Sequence, residues 1–289
     1  MPGEHVRLSL VPERNESNVT PVLELRNLSM TYATGHAALS GVSMSVSAGE
    51  RVAIIGRSGA GKSTMLRLMN RLLTPTGGEI VLNGSSITRV HGRKLRDVRT
   101  QVGMIFQQFN LVGRLTVLEN VLVGWLGTQR GLATIPTLWR QFPASAREAA
   151  MACLEEVQIA ELANQRADQL SGGQAQRVAI ARVLAQQPTA ILADEPVSSL
   201  DPRSSEIVLR TLDRINSTHG VPIIVNLHDV EIARRHADRV VGLRNGELVL
   251  DTASTSLDDN ALDRLYRDDP ASPAITPAQT HRRPMEQPA

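Results

Sequence analysis

Residues 51–64 read RVAIIGRSGAGKST, and this stretch decides the fold. Its first part, Arg51 to Ile55, is the short β-branched run that is typical of a buried parallel strand. The part that follows matches the pattern G-x-x-x-x-G-K-[ST] at every position, and apolar residues recur at helical spacing from Lys62 to Leu73. We therefore predict a strand, a glycine-rich loop and a helix, in that order.

The loop predicts a site for a nucleoside triphosphate. Glycines allow successive backbone N–H groups to point at phosphate oxygens, and the following helix adds its positive end. Lys62 would supply a charge to the β- and γ-phosphates, Ser63 a hydroxyl to Mg²⁺, and Thr64 a contact to the α-phosphate. The alternative is a glycine-rich turn that binds nothing, but the Lys-Ser pair in this context argues against it. The predicted binding residues of the loop are Gly56, Arg57, Ser58, Gly59, Ala60, Gly61, Lys62, Ser63 and Thr64.

Two adjacent carboxylates follow another apolar run, Ala190 to Ala193. Ligands of open α/β sheets bind at the carboxyl ends of the strands, so both side chains should face the phosphates. Mg²⁺ keeps several waters and takes few protein carboxylates, so Asp194 suffices as a metal contact. Glu195 is then free to orient and polarise the attacking water. Taken alone, this motif is equally consistent with a pair of solvated acids at a strand end.

Strand and helix patterns alternate through most of the chain, which indicates an α/β domain with a parallel sheet. Between about 110 and 187 the sequence is mostly helical and predicts a helical insertion. We expect a disordered segment at 1–20, one folded domain at 21–250, and a C-terminal helix with a disordered tail at 251–289. The predicted strands are 22–32, 43–50 (with Gly49 in a turn), 80–82, 102–106, 190–193, 223–227 and 239–243. The predicted helices are 145–157, 174–187, 203–218 and 229–237, and Asn83-Gly84 predicts a hairpin.

Composition argues against several classes of protein. Lys+Arg number 31 and Asp+Glu 29, a near balance that gives no argument for nucleic-acid binding. The lone cysteine, Cys153, permits no internal disulfide, fits a reducing compartment, and is better explained as a small apolar helix residue than as a reactive thiol. No run of 18 apolar residues occurs and the N-terminus does not resemble a signal peptide, so we expect membrane association only through a partner.

The run Leu170 to Gln174, LSGGQ, repeats the chemistry of the phosphate loop at the start of a helix. Small residues and backbone N–H groups meet a helix N-terminus, which makes a second anion site. One nucleotide has no need of two such sites unless the second faces the nucleotide of another copy. LSGGQ is the signature of the ABC ATPases, and the chain resembles that family over about residues 22–250, with the motifs in the family's order and spacing.

The resemblance implies roles for further residues. Tyr32 matches the aromatic that stacks on adenine, although a lone tyrosine is more often a packing residue. Gln107 matches the glutamine that senses Mg²⁺ and the water and signals to the membrane subunit. Asp201 matches the D-loop that joins two subunits, and His228 matches the switch histidine that contacts the γ-phosphate. Without the family, we would interpret His228 as an ordinary surface residue.

In such proteins two subunits sandwich two ATP molecules, and the expected fold is a RecA-like P-loop NTPase core with an inserted α-helical subdomain. The resemblance also defines three sets of residues. The catalytic set is Glu195, His228, Gln107 and Lys62; the metal set is Ser63, Gln107 and Asp194; and the residues that would complete the site of a second copy are Ser171, Gly172, Gly173 and Gln174.

Within the family, the chain most resembles the phosphonate-import ATP-binding subfamily. The similarity is less specific than LSGGQ and lies at ENVLVG (119–124), ILADEP (191–196), LHDV (227–230) and LDDNALDRLY (257–266). The implied solute is a phosphonate, with phosphate and phosphite as alternatives. The implied partners are membrane permease subunits, a substrate-binding protein and a second copy of the chain, at the cytoplasmic face of the inner membrane. Three alternatives stay open: an importer of an amino acid or another small anion, an ABC ATPase without transport, and a small-molecule kinase. A kinase has no use for a second phosphate nest.

Two surface features allow more than one interpretation. Trp125, Trp139 and Phe142 would form either a permease-docking surface or a local core, and the local core is the more common role of aromatics on short helices. A basic stretch would approach lipid headgroups or nucleic acid, or form a solvated helix face, which we favour. Its residues are Arg89, His91, Arg93, Lys94, Arg96 and Arg99.

Overall fold

The computed structural model describes residues 20–129 and 142–266. The smaller of its two sheets contains the strands Leu23–Thr31 (β1), Ala37–Val46 (β2), Gly77–Leu82 (β4) and Ser85–Ser86 (β5). These strands are antiparallel, in the order β2-β1-β4-β5. Asn83 and Gly84 join β4 to β5 with positive φ values of 48° and 74°, which confirms the predicted hairpin.

The larger sheet contains Arg51–Ile55 (β3), Val102–Ile105 (β6), Ala190–Asp194 (β7), Ile223–Asn226 (β8), Arg239–Arg244 (β9) and Glu247–Ala253 (β10). Its order is β10-β9-β3-β8-β7-β6, and all neighbours are parallel except β10, which is antiparallel to β9. Because parallel strands end at the same edge, the residues that follow β3, β7 and β8 meet there.

Several helices begin at a residue whose side chain caps them. Thr116 and Ser171 each form a capping box, and Asp201 accepts a hydrogen bond from the Ser204 N–H with Pro202 in the first turn. The helices are Lys62–Met69 (α1), Gly92–Gln101 (α2), Val117–Leu126 (α3), Ala144–Glu156 (α4), Gly172–Leu184 (α5), Pro202–His219 (α6), Val230–His236 (α7) and Asp259–Tyr266 (α8). Short 3₁₀ turns occupy Ala160–Leu162, Ala167–Gln169 and Ser254–Ser256.

Strands β3 and β6 to β9 of the larger sheet are buried on both faces, which explains their continuous apolar runs. Ile54 and Leu192 point into a core shared with α1 and the antiparallel sheet. Ala53 and Ile191 point to the opposite side, into a core shared with α3, α4, α5 and α6. The sheet therefore forms the middle of three layers, and it holds the carboxyl ends of its strands in fixed register.

The structure confirms the predicted strands of the larger sheet and the predicted helices to within a few residues, with one clear exception. The helix that begins at Lys62 ends at Met69, not at Leu73. Arg71 takes a φ of 58°, and its guanidinium donates to the carbonyls of Ile87 and Leu73 at 2.9 and 3.0 Å. These bonds turn the chain out of the helix. Strand β10 and the separation of the first strands into their own antiparallel sheet were not predicted.

The structure bears on the basic stretch and on part of the aromatic group that the sequence analysis left open. Helix α2 exposes Arg93, Lys94 and Arg96 and buries Val98, and Arg89 and His91 precede the helix. The solvated helix face stays a prediction, because a surface that binds lipid headgroups or nucleic acid would be exposed in the same way. Trp125 and Phe142 meet edge to face, with ring centroids 6.4 Å apart, and pack against the core. Trp139 lies outside the described residues, as do residues 1–19 and 267–289, on which the predictions of disorder largely fall.

Candidate functional site

The phosphate loop connects β3 to α1, as the sequence predicts, and its glycines are sterically required. Gly56 has a φ of 145°, and a Cβ there would lie 2.2 Å from the Leu243 carbonyl oxygen. Gly61 has a φ of 103°, and a Cβ there would lie 2.5 Å from the Ala38 carbonyl oxygen. Any side chain at either position would push the loop off the neighbouring backbone. The loop is therefore closed against β2 and β9.

Lys62 folds back across this loop. Its Nζ donates to the carbonyls of Gly56 and Arg57 at 2.7 and 3.0 Å, and the residue is buried. Burial lowers the pKa of the Lys62 ammonium, whereas the nearby carboxylates of Glu195 and Asp194 act in the opposite direction. The lysine is thus a positive charge held at the centre of the loop by the backbone, and no carboxylate of residues 20–129 and 142–266 forms an ion pair with it.

Asp194 ends β7 beside the first turn of α1. Its Oδ1 accepts hydrogen bonds from the Ser63 hydroxyl and from the Asn226 amide, each at 2.8 Å. The Arg67 guanidinium lies 4.0 Å from Oδ2. The carboxylate is buried, so these donors fix its orientation.

Asn226 was missed by the sequence analysis. It is fully buried, and its Oδ1 has no hydrogen-bond partner among the described residues. In the register of the parallel sheet it lies directly beside Asp194, since Asp194 pairs with Asn226 between β7 and β8. The only sequence signal was a polar residue at the end of the apolar run IIV.

Glu195 is the next residue, and it leaves the strand with a φ of 51°. A non-glycine residue in this left-handed region is strained, and such strain is often found where a side chain is aimed for function. Oε1 of Glu195 lies 2.6 Å from Nε2 of His228. Because His228 follows β8 and Glu195 follows β7, the two side chains meet across neighbouring strands.

Gln107 reaches the same edge through an intermediate. Its amide donates to the Ser198 hydroxyl at 3.2 Å, and that hydroxyl donates to the Glu195 carbonyl at 3.2 Å. The guanidinium of Arg182, on α5, donates to the carbonyls of Phe109 and Asn110 at 2.9 and 2.6 Å. The segment after Gln107 is therefore tied to the helix that carries LSGGQ. The structure does not place Gln107 in hydrogen-bond contact with Ser63 or Asp194.

One cavity of about 240 Å³ collects most of these groups. The Tyr32 phenol closes one side of it and shares a hydrogen bond of 3.1 Å with the Thr64 hydroxyl. The cavity is lined by Tyr32, His36, Ala38, Ser58, Gly59, Gly61, Lys62, Ser63, Thr64, Glu195 and His228. A lysine, backbone N–H groups and a hydroxyl share this cavity with a carboxylate–histidine pair, and this set of groups is suited to binding and cleaving a phosphoanhydride.

The LSGGQ residues lie outside this cavity. The capping box consumes two of their backbone donors, since the Ser171 N–H donates to Gln174 Oε1 at 2.9 Å and the Gln174 N–H donates to Ser171 Oγ at 3.4 Å. No described residue accepts a hydrogen bond from the N–H groups of Gly172 and Gly173, which head α5. The anion site predicted there is therefore reduced to these two N–H groups and the helix end.

Both glycines pack closely against the segment that begins α6. A Cβ at Gly172 would lie 3.0 Å from Leu200, and one at Gly173 would lie 2.8 Å from the Ser204 hydroxyl. Asp201 caps α6 by accepting from the Ser204 N–H at 3.0 Å, and hydrogen bonding by Ser204 lowers the pKa of Asp201. The signature helix and the Ser199–Asp201 segment therefore form one surface.

A family model described as ABC transporter matches residues 39–198, more than half of the chain. The chain belongs to the ABC transporter family. Its fold is the RecA-like P-loop core with an inserted helical subdomain. No helix within residues 20–129 and 142–266 combines the length and hydropathy that a bilayer-spanning segment needs.

Relatives of this ABC protein carry a specific name. The chain is 51% identical over 230 residues to the phosphonates import ATP-binding protein PhnC of Bradyrhizobium diazoefficiens, covering 80% of this chain and 84% of that protein. It is 47% identical over 245 residues to phosphonates import ATP-binding protein PhnC 3 of Halalkalibacterium halodurans, covering 85% of this chain and 94% of that protein.

Solved structures agree on the fold of this ABC protein. A dimeric ATP-binding cassette in a post-hydrolysis state, bound to ADP and phosphate, is 35% identical with a TM-score of 0.71, over 81% of this chain and 100% of that chain. The cbiO1 protein of Clostridium perfringens, part of the ABC transporter complex cbiONQ, is 27% identical with a TM-score of 0.72, over 84% and 93%.

Proposed function

We propose that this chain is the ATP-binding and ATP-hydrolysing subunit of an ABC importer that powers phosphonate uptake across the cytoplasmic membrane. The observation that carries the ATPase activity is one cavity that is lined by Lys62 and Ser63 and also by the Glu195–His228 pair. A site that only bound phosphate would need no carboxylate opposite the lysine. The side chains of this cavity recognise only the nucleotide, so the cavity gives no information on the transported solute. The choice of phosphonate is supported by the names of the relatives.

Binding begins at the phosphate loop. The N–H groups around Gly59 and Gly61 and the N-terminal end of α1 receive the phosphate oxygens, and Lys62 exchanges part of its contact with the Gly56 and Arg57 carbonyls for the β- and γ-phosphates. The Tyr32 ring stacks on adenine at the far side of the cavity.

Mg²⁺ fits the oxygens at the end of β7. Ser63 Oγ and Asp194 Oδ1 lie 2.8 Å apart, and hydroxyl and carboxylate oxygens are the hard donors that Mg²⁺ prefers. No three His, Cys, Asp or Glu side chains of the described ranges cluster to hold a metal alone, which suits an ion held largely by water and phosphate. Bound there, Mg²⁺ would neutralise charge on the β- and γ-phosphates. Gln107 would join this set through its amide oxygen, because its amide nitrogen donates to Ser198.

Glu195 is the general base for hydrolysis. Its carboxylate orients a water against the γ-phosphorus and accepts the proton as the water oxygen attacks, and ADP and phosphate are the products. His228 Nε2, 2.6 Å from Glu195, holds the carboxylate in place and lies where it also contacts the γ-phosphate. Gln107 senses the state of this edge through Ser198.

A second copy completes the site. The N–H groups of Gly172 and Gly173 have no intrachain acceptor among the described residues, and the solved cassette that is 35% identical is dimeric. In an ATP-bound pair, Ser171 to Gln174 of one copy would face the γ-phosphate held by the other, and Asp201 would lie at the interface. Closure and release of that pair would drive the permease subunits, to which the substrate-binding protein delivers phosphonate. The chain would lie on the cytoplasmic face of the inner membrane, as a peripheral subunit.

The first experiment measures phosphate release from Mg·ATP by the purified protein with no acceptor added. We expect turnover by the wild type; strict dependence on an added acceptor would favour a kinase and contradict the proposal. The second reconstitutes the chain with its permease and binding protein and measures ATP-dependent uptake of a labelled phosphonate against a labelled amino acid. Uptake of the amino acid alone would leave the proposed ATPase activity standing and would contradict phosphonate as the transported solute.

A further inference from the structure

The strongest unassigned feature of the cavity is a second aromatic ring. His36 lines the cavity together with Tyr32, and the two rings are parallel within 5°, with centroids 6.5 Å apart. The sequence motifs assign His36 no role. It is exposed, and no described residue forms a hydrogen bond or an ion pair with its imidazole. Its one close partner is therefore the ring that we propose for adenine.

The backbone fixes this arrangement. The Tyr32 N–H donates to the His36 carbonyl and the Gly35 N–H donates to the Tyr32 carbonyl, both at 2.9 Å, so the turn between β1 and β2 is closed at both ends. Gly35 provides the left-handed φ of 84° that the turn needs. The Tyr32 phenol is in turn anchored to Thr64, which places both rings next to the helix that begins at the phosphate loop.

We propose that His36 is a second stacking residue of the nucleotide site and contacts the purine base together with Tyr32. Both rings line the cavity and their planes are parallel, so a flat base that stacks parallel to the phenol is also parallel to the imidazole. Stacking of a base on an aromatic ring is favourable for every base because every base has a π-face. The inference rests on the proposed function and specifies its base subsite.

The test separates the base from the phosphates. The dissociation constants of ADP, which carries adenine, and of pyrophosphate, which does not, are measured by calorimetry on the full chain, so that no turnover intervenes. We expect His36→Ala to weaken ADP binding by about fivefold, the lower end of the range for one base–aromatic contact, because the ring is exposed. Pyrophosphate affinity stays unchanged, and His36→Phe restores ADP affinity to within about twofold of the wild type. Thr34→Ala, in the same turn, is the matched control and should bind both probes as the wild type does.

Three results would overturn the inference. ADP affinity unaltered by His36→Ala would place the base on Tyr32 alone. An equal loss for ADP and pyrophosphate would show that the loop had moved. A loss of ADP affinity that His36→Phe fails to restore would assign the effect to an imidazole hydrogen bond instead of stacking. A wild-type protein that binds neither probe would overturn the proposed function itself, whereas wild-type binding with any of the other three results leaves that function standing.

Discussion

Nε2 of His228 lies 2.6 Å from Oε1 of Glu195, and the two residues follow neighbouring parallel strands. The contact joins the residue proposed to activate water to the residue proposed to contact the γ-phosphate. The histidine occupies one carboxylate oxygen and leaves the other for water, while the positive φ at Glu195 fixes where the side chain leaves the strand. If the proposed roles hold, the pair would couple the position of the base to the presence of the phosphate.

Glu195→Gln should keep ATP binding and lose turnover. The amide has the size of the carboxylate but cannot accept the proton of the attacking water, so we expect the steady-state rate of phosphate release to fall about 100-fold or more. ATP should then remain bound and hold two copies together, which size-exclusion chromatography with ATP detects. Glu247→Gln, exposed on β10, is the matched control and should turn over as the wild type does. A Glu195→Gln protein that stays monomeric with ATP bound would contradict the shared site.

Lys62→Ala should weaken nucleotide binding itself. The substitution removes the buried ammonium that lies across the phosphate loop, and charge-assisted hydrogen bonds of this kind are worth enough to raise the dissociation constant of ATP about 10- to 100-fold. Lys94, the other lysine of the sequence, is exposed on α2 and provides the control. Equal ATP affinity of Lys62→Ala and Lys94→Ala, by equilibrium dialysis, would remove Lys62 from the site. The urea midpoint of each variant shows whether a loss reflects unfolding.

Asn226→Ala should raise the Mg²⁺ requirement. Its amide is one of two donors that hold Asp194 Oδ1, and loss of such a supporting hydrogen bond typically costs about tenfold in metal affinity. We expect the Mg²⁺ concentration for half-maximal ATP turnover to rise by about that factor, with much of the rate restored at high Mg²⁺. Asn260→Ala, exposed on α8, should leave the Mg²⁺ titration unchanged. An unchanged titration for Asn226→Ala as well would mean that Ser63 alone is enough to orient Asp194.

The phosphate loop and the acidic strand end could be predicted because their chemistry is written in contiguous residues. Glycine is required at 56 and 61 because a Cβ there would lie 2.2 and 2.5 Å from neighbouring carbonyl oxygens, yet the motif predicts both glycines without that knowledge. Asn226 could not be predicted in the same way. Its role depends on the register that sets it beside Asp194, and register between strands distant in the chain is not visible in a single sequence.

Other features were hidden for the same reason. Strand β1 pairs with β4 in a register that sets Leu23 beside Leu82, and no local sequence pattern predicts that pairing. The end of α1 is set by Arg71, whose guanidinium finds carbonyl acceptors on a distant turn, while Leu72 and Leu73 still follow the helical period. Periodicity predicted the elements, and tertiary hydrogen bonds decided where they stop and which strands they join.

Cys153 should be inert to thiol reagents until the protein unfolds. It is buried on α4, and burial raises the pKa of its thiol to about 12, so the thiolate fraction at pH 8 is about 10⁻⁴ in the folded state. In the unfolded chain, with a pKa of about 8.5, that fraction is about a quarter, so modification should accelerate roughly a thousandfold on adding denaturant. Because the folded pKa lies above the unfolded value, the thiol's contribution to stability is complete below about pH 8.5 and is lost as the pH rises towards 12.

Reaction with dithiobis(nitrobenzoic acid) at pH 8, followed by absorbance, measures the modification rates directly, and Cys153→Ala gives the background. Since α4 packs on α3 and α5, full labelling of the folded protein within minutes would mean that this helical layer opens readily, contrary to the packing described here.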